Sequence, residues 1–125
     1  MAPPSGSLLL VEDDAVLRGI YATKLEAAGF TVYPAGDGAT ARSLYQEHRP
    51  LLACLDCRLP DESGVDLGTD LAALGARVLL LTNDQEIVDK PPKGVAGALL
   101  KIMTPPATLI DELVRLLAES AGRLA

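Results

Sequence analysis

The sequence lacks tryptophan, and its aromatic residues are few: three tyrosines and one phenylalanine among 125 residues. Because 49% of the residues are nevertheless hydrophobic, the core must be built mainly from aliphatic side chains. Basic residues form no cluster, and the formal net charge is −6. These properties argue against direct binding to nucleic acid or to an anionic membrane surface, and they are compatible with holding a cation.

Long apolar runs and a signal-peptide pattern are also absent, so we expect no membrane association. The only two cysteines, Cys54 and Cys57, occur without secretory context, which predicts reduced thiols in the cytoplasm. The length fits a single domain. We expect that domain over residues 7–121, with a flexible N-terminal tail at 1–6 and a C-terminal tail at 122–125.

Short apolar runs alternate with helical patterns along the chain. The runs cover residues 8–11, 31–35, 51–55, 78–81 and 96–100. Most are near-continuously apolar, which is typical of strands buried on both faces of a parallel sheet. A strand–helix unit repeated five times predicts the α/β class, with a doubly wound five-stranded parallel sheet in a three-layer sandwich.

Helix boundaries follow from caps and breakers. Asp14 is a candidate N-cap for a helix at 15–28, whose inward stripe would include Val16, Ile20 and Leu25. Asp37 is a candidate N-cap for a second helix that reaches about residue 48, and further helices are predicted at 65–74 and 106–119. The segment 83–94 offers only one short turn before two prolines, so we expect a short or degraded fourth helix.

Polar side chains follow four of the predicted strands, at the point where each strand ends. In doubly wound sheets, ligands bind beyond these carboxyl ends. A single charge there is more often a solvated loop residue or a helix cap, but complementary groups at four strand ends predict one site. The groups are Glu12, Asp13 and Asp14, then Asp56, Thr82 and Lys101.

The ordered set of motifs "LLLVEDD", "LLACLDCRLPDESG", "VLLLT" and "GALLK" resembles the receiver domain of bacterial two-component response regulators. The resemblance spans nearly the whole chain. It implies a CheY-like, flavodoxin-like fold with strand order 2-1-3-4-5. It also implies a phosphorelay signalling domain that is not a turnover enzyme.

Clustered carboxylates repel one another unless a cation neutralises them, and Mg²⁺ prefers oxygen ligands. By resemblance, Asp13 and Asp56 would bind Mg²⁺ directly, Glu12 would act through water, and Arg58 would supply its backbone carbonyl. Asp56 would be the phosphoacceptor. Thr82 and Lys101 would contact the transferred phosphoryl group.

The resemblance also implies partners. The phosphoryl donor would be a sensor histidine kinase or a histidine phosphotransfer protein, and the phosphorylated state would act on a downstream protein partner or effector domain. The cysteines take no part in this scheme. Residues three apart on a strand lie about 10 Å apart, too far for a disulfide. Cys54 is therefore predicted in the core and Cys57 beside the pocket.

Several positions depart from the family pattern. Ile102 follows the lysine where proline with a cis bond is usual, and a trans bond would leave the placement of Lys101 open. Ala98 replaces the usual aromatic switch residue, and Asn83 replaces a small residue after the hydroxyl. These departures keep a second hypothesis open: an atypical receiver-like interaction module that works without phosphorylation.

A third hypothesis is an aspartate-nucleophile phosphatase of another α/β family. Such enzymes typically place a second aspartate two residues after the nucleophile, where it acts as an acid and base. Arg58 occupies that position, which disfavours this class.

Overall fold

The computed structural model describes residues 6–124, with side chains as far as residue 119. The elements in chain order are β1 (Ser7–Val11), α1 (Ala15–Ala27), β2 (Thr31–Ala35), α2 (Gly38–His48), β3 (Leu52–Asp56), α3 (Gly64–Ala73), β4 (Arg77–Thr82), α4 (Gln85–Asp89), β5 (Gly97–Leu100), a 3-10 turn (Lys101–Met103) and α5 (Pro106–Leu124).

The five strands form one parallel sheet in the order β2-β1-β3-β4-β5. Helices α1 and α5 pack on one face, and α2 and α3 pack on the other. The predicted fold class and strand order are therefore confirmed. Because the chain winds in opposite directions from the sheet centre, a crevice opens between the carboxyl ends of β1 and β3.

Strand β1 illustrates how continuous apolar runs build both cores. Leu8 and Leu10 belong to the core under α1 and α5. Leu9 and Val11 point to the opposite face and join the core under α2 and α3. All four are at most 1% exposed, because alternate side chains point to opposite faces and both faces are covered.

The inward stripe predicted for α1 is partly wrong. Val16 and Ile20 are 71% and 43% exposed, whereas Tyr21 and Leu25 are buried. Leu17 packs against the same core, so the buried stripe follows the spacing 17, 21, 25. The helix carries two candidate apolar stripes, and packing against the sheet selected the one with the larger Tyr21 side chain.

The ends of the fold differ in part from expectation. Helix α4 has only five residues, none of them fully buried, which confirms the short fourth helix. Helix α5 continues through residues 122–124, which were expected in a tail. Most of the N-terminal tail predicted at 1–6 lies outside the described residues, although the Gly6 carbonyl accepts a hydrogen bond from the Thr31 N–H at 3.0 Å. Among the described residues, no helix is both long and apolar enough to cross a membrane.

Candidate functional site

Four strand ends bring the predicted site residues to one edge of the sheet. Asp56 and Thr82 are the last residues of β3 and β4, and Lys101 directly follows β5. These three side chains line a cleft of about 700 Å³, together with Arg58. Their convergence follows from the parallel sheet, in which all carboxyl ends lie on one side.

Three carboxylates meet at this edge. Val11 pairs with Leu55 in the sheet register, so the acidic residues after β1 lie beside Asp56 at the end of β3. Oxygen atoms of Glu12, Asp13 and Asp56 all lie within 4.8 Å of one another. Glu12 is 2% exposed and Asp56 is 7% exposed, so bulk water contributes little to screening their mutual repulsion.

Lys101 neutralises part of this charge. Its Nζ donates a hydrogen bond to Asp56 Oδ2 at 2.8 Å. It also lies 2.7 Å from Glu12 Oε1, in an ion pair without hydrogen-bond geometry. Every peptide bond in the described part of the chain is trans. A trans bond before Ile102 is therefore compatible with Lys101 reaching the carboxylates.

The pKa values at this site reflect the opposing effects of burial and charge. Burial raises the pKa of Glu12, although Lys101 and the Asp14 N–H partly offset the rise. For Lys101, burial alone would lower the pKa, but the contacts with Asp56 and Glu12 outweigh it and raise the pKa. The carboxylates thus stabilise the charge of Lys101, and Lys101 in turn limits the rise of the Glu12 pKa.

The loop after β3 orients Asp56. Its Oδ1 accepts a hydrogen bond from the Arg58 N–H at 3.1 Å, which leaves Oδ2 for Lys101. The backbone of Gly64 packs directly against the start of this loop. A Cβ atom at Gly64 would lie 2.1 Å from the Asp56 carbonyl oxygen, so only glycine permits this close approach.

Thr82 and Cys57 line the cleft, and Cys54 lies in the core. The Thr82 hydroxyl oxygen accepts a hydrogen bond from the Asp84 N–H at 3.0 Å. Burial raises the pKa of the Cys57 thiol, and a contact with Thr82 partly offsets the rise. Cys54 is fully buried, which raises its pKa to about 12. Both cysteines are unpaired, as predicted.

Sequence reasoning missed Arg18, which supports the acidic loop after β1. Its Nη1 donates a hydrogen bond to the Glu12 carbonyl at 2.8 Å. A Cβ atom at Gly36 would lie 2.8 Å from the same nitrogen, so the neighbouring backbone makes room for the guanidinium. The only signal in the sequence is the spacing of Arg18, one helical turn after the Asp14 cap.

A second unpredicted contact anchors the loop after β3 to α2. Asp61 accepts hydrogen bonds from the N–H groups of Gly38 and Ala39, at 2.8 and 3.0 Å. The adjacent Glu62 forms a bidentate ion pair with Arg42. Such contacts between residues 20 or more positions apart leave no local pattern in the sequence, and they restrain the loop beyond Asp56.

Comparison with protein families identifies the class of this chain. The family model for the response regulator receiver domain matches residues 8–113. The fold is also that of a solved response regulator receiver domain protein (CheY-like) from Methanospirillum hungatei. That match has a TM-score of 0.85 at 22% identity and covers 94% of this chain and 98% of the other.

Two curated relatives carry regulatory names. The chain is 34% identical over 99 residues to the transcriptional regulatory protein HptR of Staphylococcus aureus, a match that covers 74% of this chain and 39% of the relative. It is 32% identical over 114 residues to the probable transcriptional regulatory protein TcrX of Mycobacterium tuberculosis, covering 90% of this chain and 48% of that protein. The matches thus span less than half of each relative.

Proposed function

The chain belongs to the response regulator receiver domains, signalling domains of phosphorelays, and from this premise we propose that Asp56 is its phosphoacceptor. The single observation that supports this best is the placement of Asp56. It lies at the end of the central strand β3, in a cleft, between two other carboxylates and an ammonium group.

In the proposed step, a carboxylate oxygen of Asp56 attacks phosphorus on a phosphohistidine. A new oxygen–phosphorus bond forms as the bond from phosphorus to the histidine nitrogen breaks, and the electron pair of that bond stays on the imidazole. The product on this chain is an acyl phosphate. Such transfers depend mainly on positioning and on charge neutralisation.

The residues present fit a hard divalent cation. Glu12, Asp13 and Asp56 offer carboxylate oxygens close together, the ligand type that Mg²⁺ prefers. Asp13, Asp56 and the Arg58 backbone carbonyl would hold the ion, and Glu12 would contact it through water. Bound there, Mg²⁺ would supply positive charge to the carboxylates and to the incoming phosphoryl oxygens.

Lys101 and Thr82 would respond to the new group, which carries a charge of about −2. Lys101 already contacts Asp56 at 2.8 Å and would exchange that carboxylate for a phosphoryl oxygen. The Thr82 hydroxyl oxygen accepts a hydrogen bond from the Asp84 N–H, and the same hydroxyl can donate its own hydrogen to the phosphoryl group. The resulting movement of the loops after β4 and β5 would change which partners bind.

The donor in this proposal is a sensor histidine kinase or a histidine phosphotransfer protein, and the reaction takes place in the cytoplasm. The recipient of the signal is a protein partner or an effector domain. With a net charge of −6 and no basic cluster, the chain is unsuited to direct nucleic-acid binding. The receiver domain itself is proposed to extend from residue 7 to the end of α5 at residue 124.

The proposal is tested by phosphorylation with acetyl phosphate and Mg²⁺, followed by intact-mass measurement. We expect one phosphoryl group per chain, removable by hydroxylamine as acyl phosphates are, and no incorporation in Asp56→Asn. Asp111→Asn makes the same chemical change at an exposed position on α5 and serves as the control. Incorporation into Asp56→Asn at the wild-type level would refute the assignment.

The alternative is a receiver-like interaction module that does not use phosphorylation. Two observations favour it: Ala98 provides no aromatic rotamer to switch, and α4 contains only five residues. A wild-type chain that takes up no phosphoryl group from several donors, and whose partner binding is unchanged in Asp56→Asn, would support this alternative.

A further inference from the structure

Two neighbouring departures from the family pattern contact each other. Asn83 stands where a small residue is usual, and Ile102 stands where proline is usual. The Asn83 side-chain oxygen accepts a hydrogen bond from the Ile102 N–H at 2.9 Å. Proline has no N–H to donate and a small residue has no side-chain amide, so this contact requires both departures together.

The contact joins two strand ends of the site. Asn83 directly follows Thr82 at the end of β4, and Ile102 directly follows Lys101 after β5. Thr82 and Leu100 are partners in the β4–β5 register, so the two loops leave the sheet side by side. The hydrogen bond spans the gap between them, next to the residue whose ammonium group contacts the carboxylates.

Few other contacts fix the turn that carries Lys101; one is a hydrogen bond from the Thr104 N–H to the Lys101 carbonyl at 3.2 Å. Its other two residues, Ile102 and Met103, are 78% and 72% exposed, so their side chains hardly anchor it in the core. At its far end, the Thr104 hydroxyl donates a hydrogen bond to the Leu100 carbonyl at 2.8 Å. The Asn83 contact therefore restrains the backbone directly beside Lys101.

We propose that Asn83 is a positioning residue for Lys101: it accepts the Ile102 N–H and thereby holds the trans-linked turn so that the Lys101 ammonium reaches Asp56. The inference rests on the proposed phosphoacceptor function of Asp56, and it assigns Asn83 no contact with the phosphoryl group.

The first test measures phosphorylation of Asn83→Ala by acetyl phosphate at saturating Mg²⁺. We expect the rate constant to fall roughly three- to tenfold, the range that one hydrogen bond commonly contributes. Mg²⁺ affinity, measured separately, should not weaken, because a less restrained ammonium competes less with the cation. Gln46→Ala, which removes an exposed amide from α2, is the control and should keep the wild-type rate.

The second test asks whether Asn83 acts through Lys101. In a Lys101→Met background, Asn83→Ala should cause no further slowing, because the group that it positions is gone. A further slowing equal to that of the single variant would overturn the proposal. The proposal would also be overturned if Asn83→Ala alone were phosphorylated at the wild-type rate, or if its Mg²⁺ affinity fell as much as its rate of phosphorylation.

A third measurement does not depend on phosphorylation. Hydrogen exchange of the Ile102 amide, followed by NMR, should be slower in the wild type than in an unstructured chain. It should become fast in Asn83→Ala and slow again in Asn83→Asp, which keeps an acceptor oxygen. A wild-type Ile102 amide that exchanges like an unstructured one would overturn the positioning role. A protected amide in a chain that accepts no phosphoryl group would instead count against the proposed function alone.

Discussion

Replacing Lys101 by methionine should destabilise the protein chiefly when no divalent cation is present. The substitution keeps most of the side-chain volume but removes an ammonium group that lies 2.7 Å from Glu12 and 2.8 Å from Asp56. Both carboxylates are almost fully buried. Without the lysine, the structure must hold two neighbouring negative charges with little solvation.

The expected loss follows from the geometry. Removing one partner of a buried ion pair costs about 3–5 kcal/mol. Because the Lys101 side chain is 19% exposed, solvent screens part of the interaction, and we expect about 2–3 kcal/mol. For a domain of this size, that lowers the midpoint of thermal unfolding by about 6–15 °C.

Mg²⁺ should recover much of the loss. A ligand at one hundred times its Kd stabilises the folded state by about 2.7 kcal/mol. The variant should gain more from Mg²⁺ than the wild type does, because the wild-type ammonium competes with the cation for the same oxygen atoms. Urea unfolding of both proteins, with Mg²⁺ or with a chelator, measures this difference.

The control is Lys93→Met, which removes the same charge from an exposed residue after α4 and should change the free energy of unfolding little. Equal losses for Lys101→Met with and without Mg²⁺ would refute the proposed shared use of the carboxylates. A Lys93→Met variant that loses as much stability would show that net charge, rather than the local contacts, is responsible.

Three further outcomes are expected. Gly64→Ala should lower the free energy of unfolding by about 3 kcal/mol or more, because the new Cβ would overlap a backbone oxygen. Gly19→Ala is the matched control: the space around its Cβ is open, and the substitution should raise the free energy of unfolding by about 0.5–1 kcal/mol. Backbone N–H donors lower the pKa of Asp61, so the stabilisation that its carboxylate provides is lost as the pH falls through that lowered pKa. Below about pH 4, the free energy of unfolding of Asp61→Asn should therefore change less with pH than that of the wild type. In thiol labelling of the native protein, the half-buried Cys57 should react with the reagent. Cys54, which is fully buried and has a pKa of about 12, should not react.

Each of these outcomes has a result that would contradict it. Equal and small effects of the two glycine substitutions in urea unfolding would contradict the close packing beneath Asp56. An Asp61→Asn variant with an unchanged acid profile would show that the carboxylate does not cap α2 in solution. Native labelling of Cys54 at the rate of Cys57 would contradict its complete burial.

The sequence contained most of what was needed for the fold. Five apolar runs, each followed by a helical pattern, are local features, and each indicates its own element without knowledge of the others. Prediction was weaker for α1, where Val16 and Ile20 were expected inside and lie at the surface. Periodicity identifies an apolar stripe, but only packing against the sheet selects between two such stripes on one helix.

For the site, the sequence by itself determined which groups follow the strands: Asp56, Thr82 and Lys101. Only the tertiary structure showed that Lys101 reaches Asp56 through a trans-linked turn, and that the Asn83 side chain accepts a hydrogen bond from the Ile102 N–H. The physical reason is the distance along the chain over which each interaction acts. Strand and cap propensities act between near neighbours in the chain, whereas ion pairs and loop contacts form between distant residues that only the assembled sheet brings together.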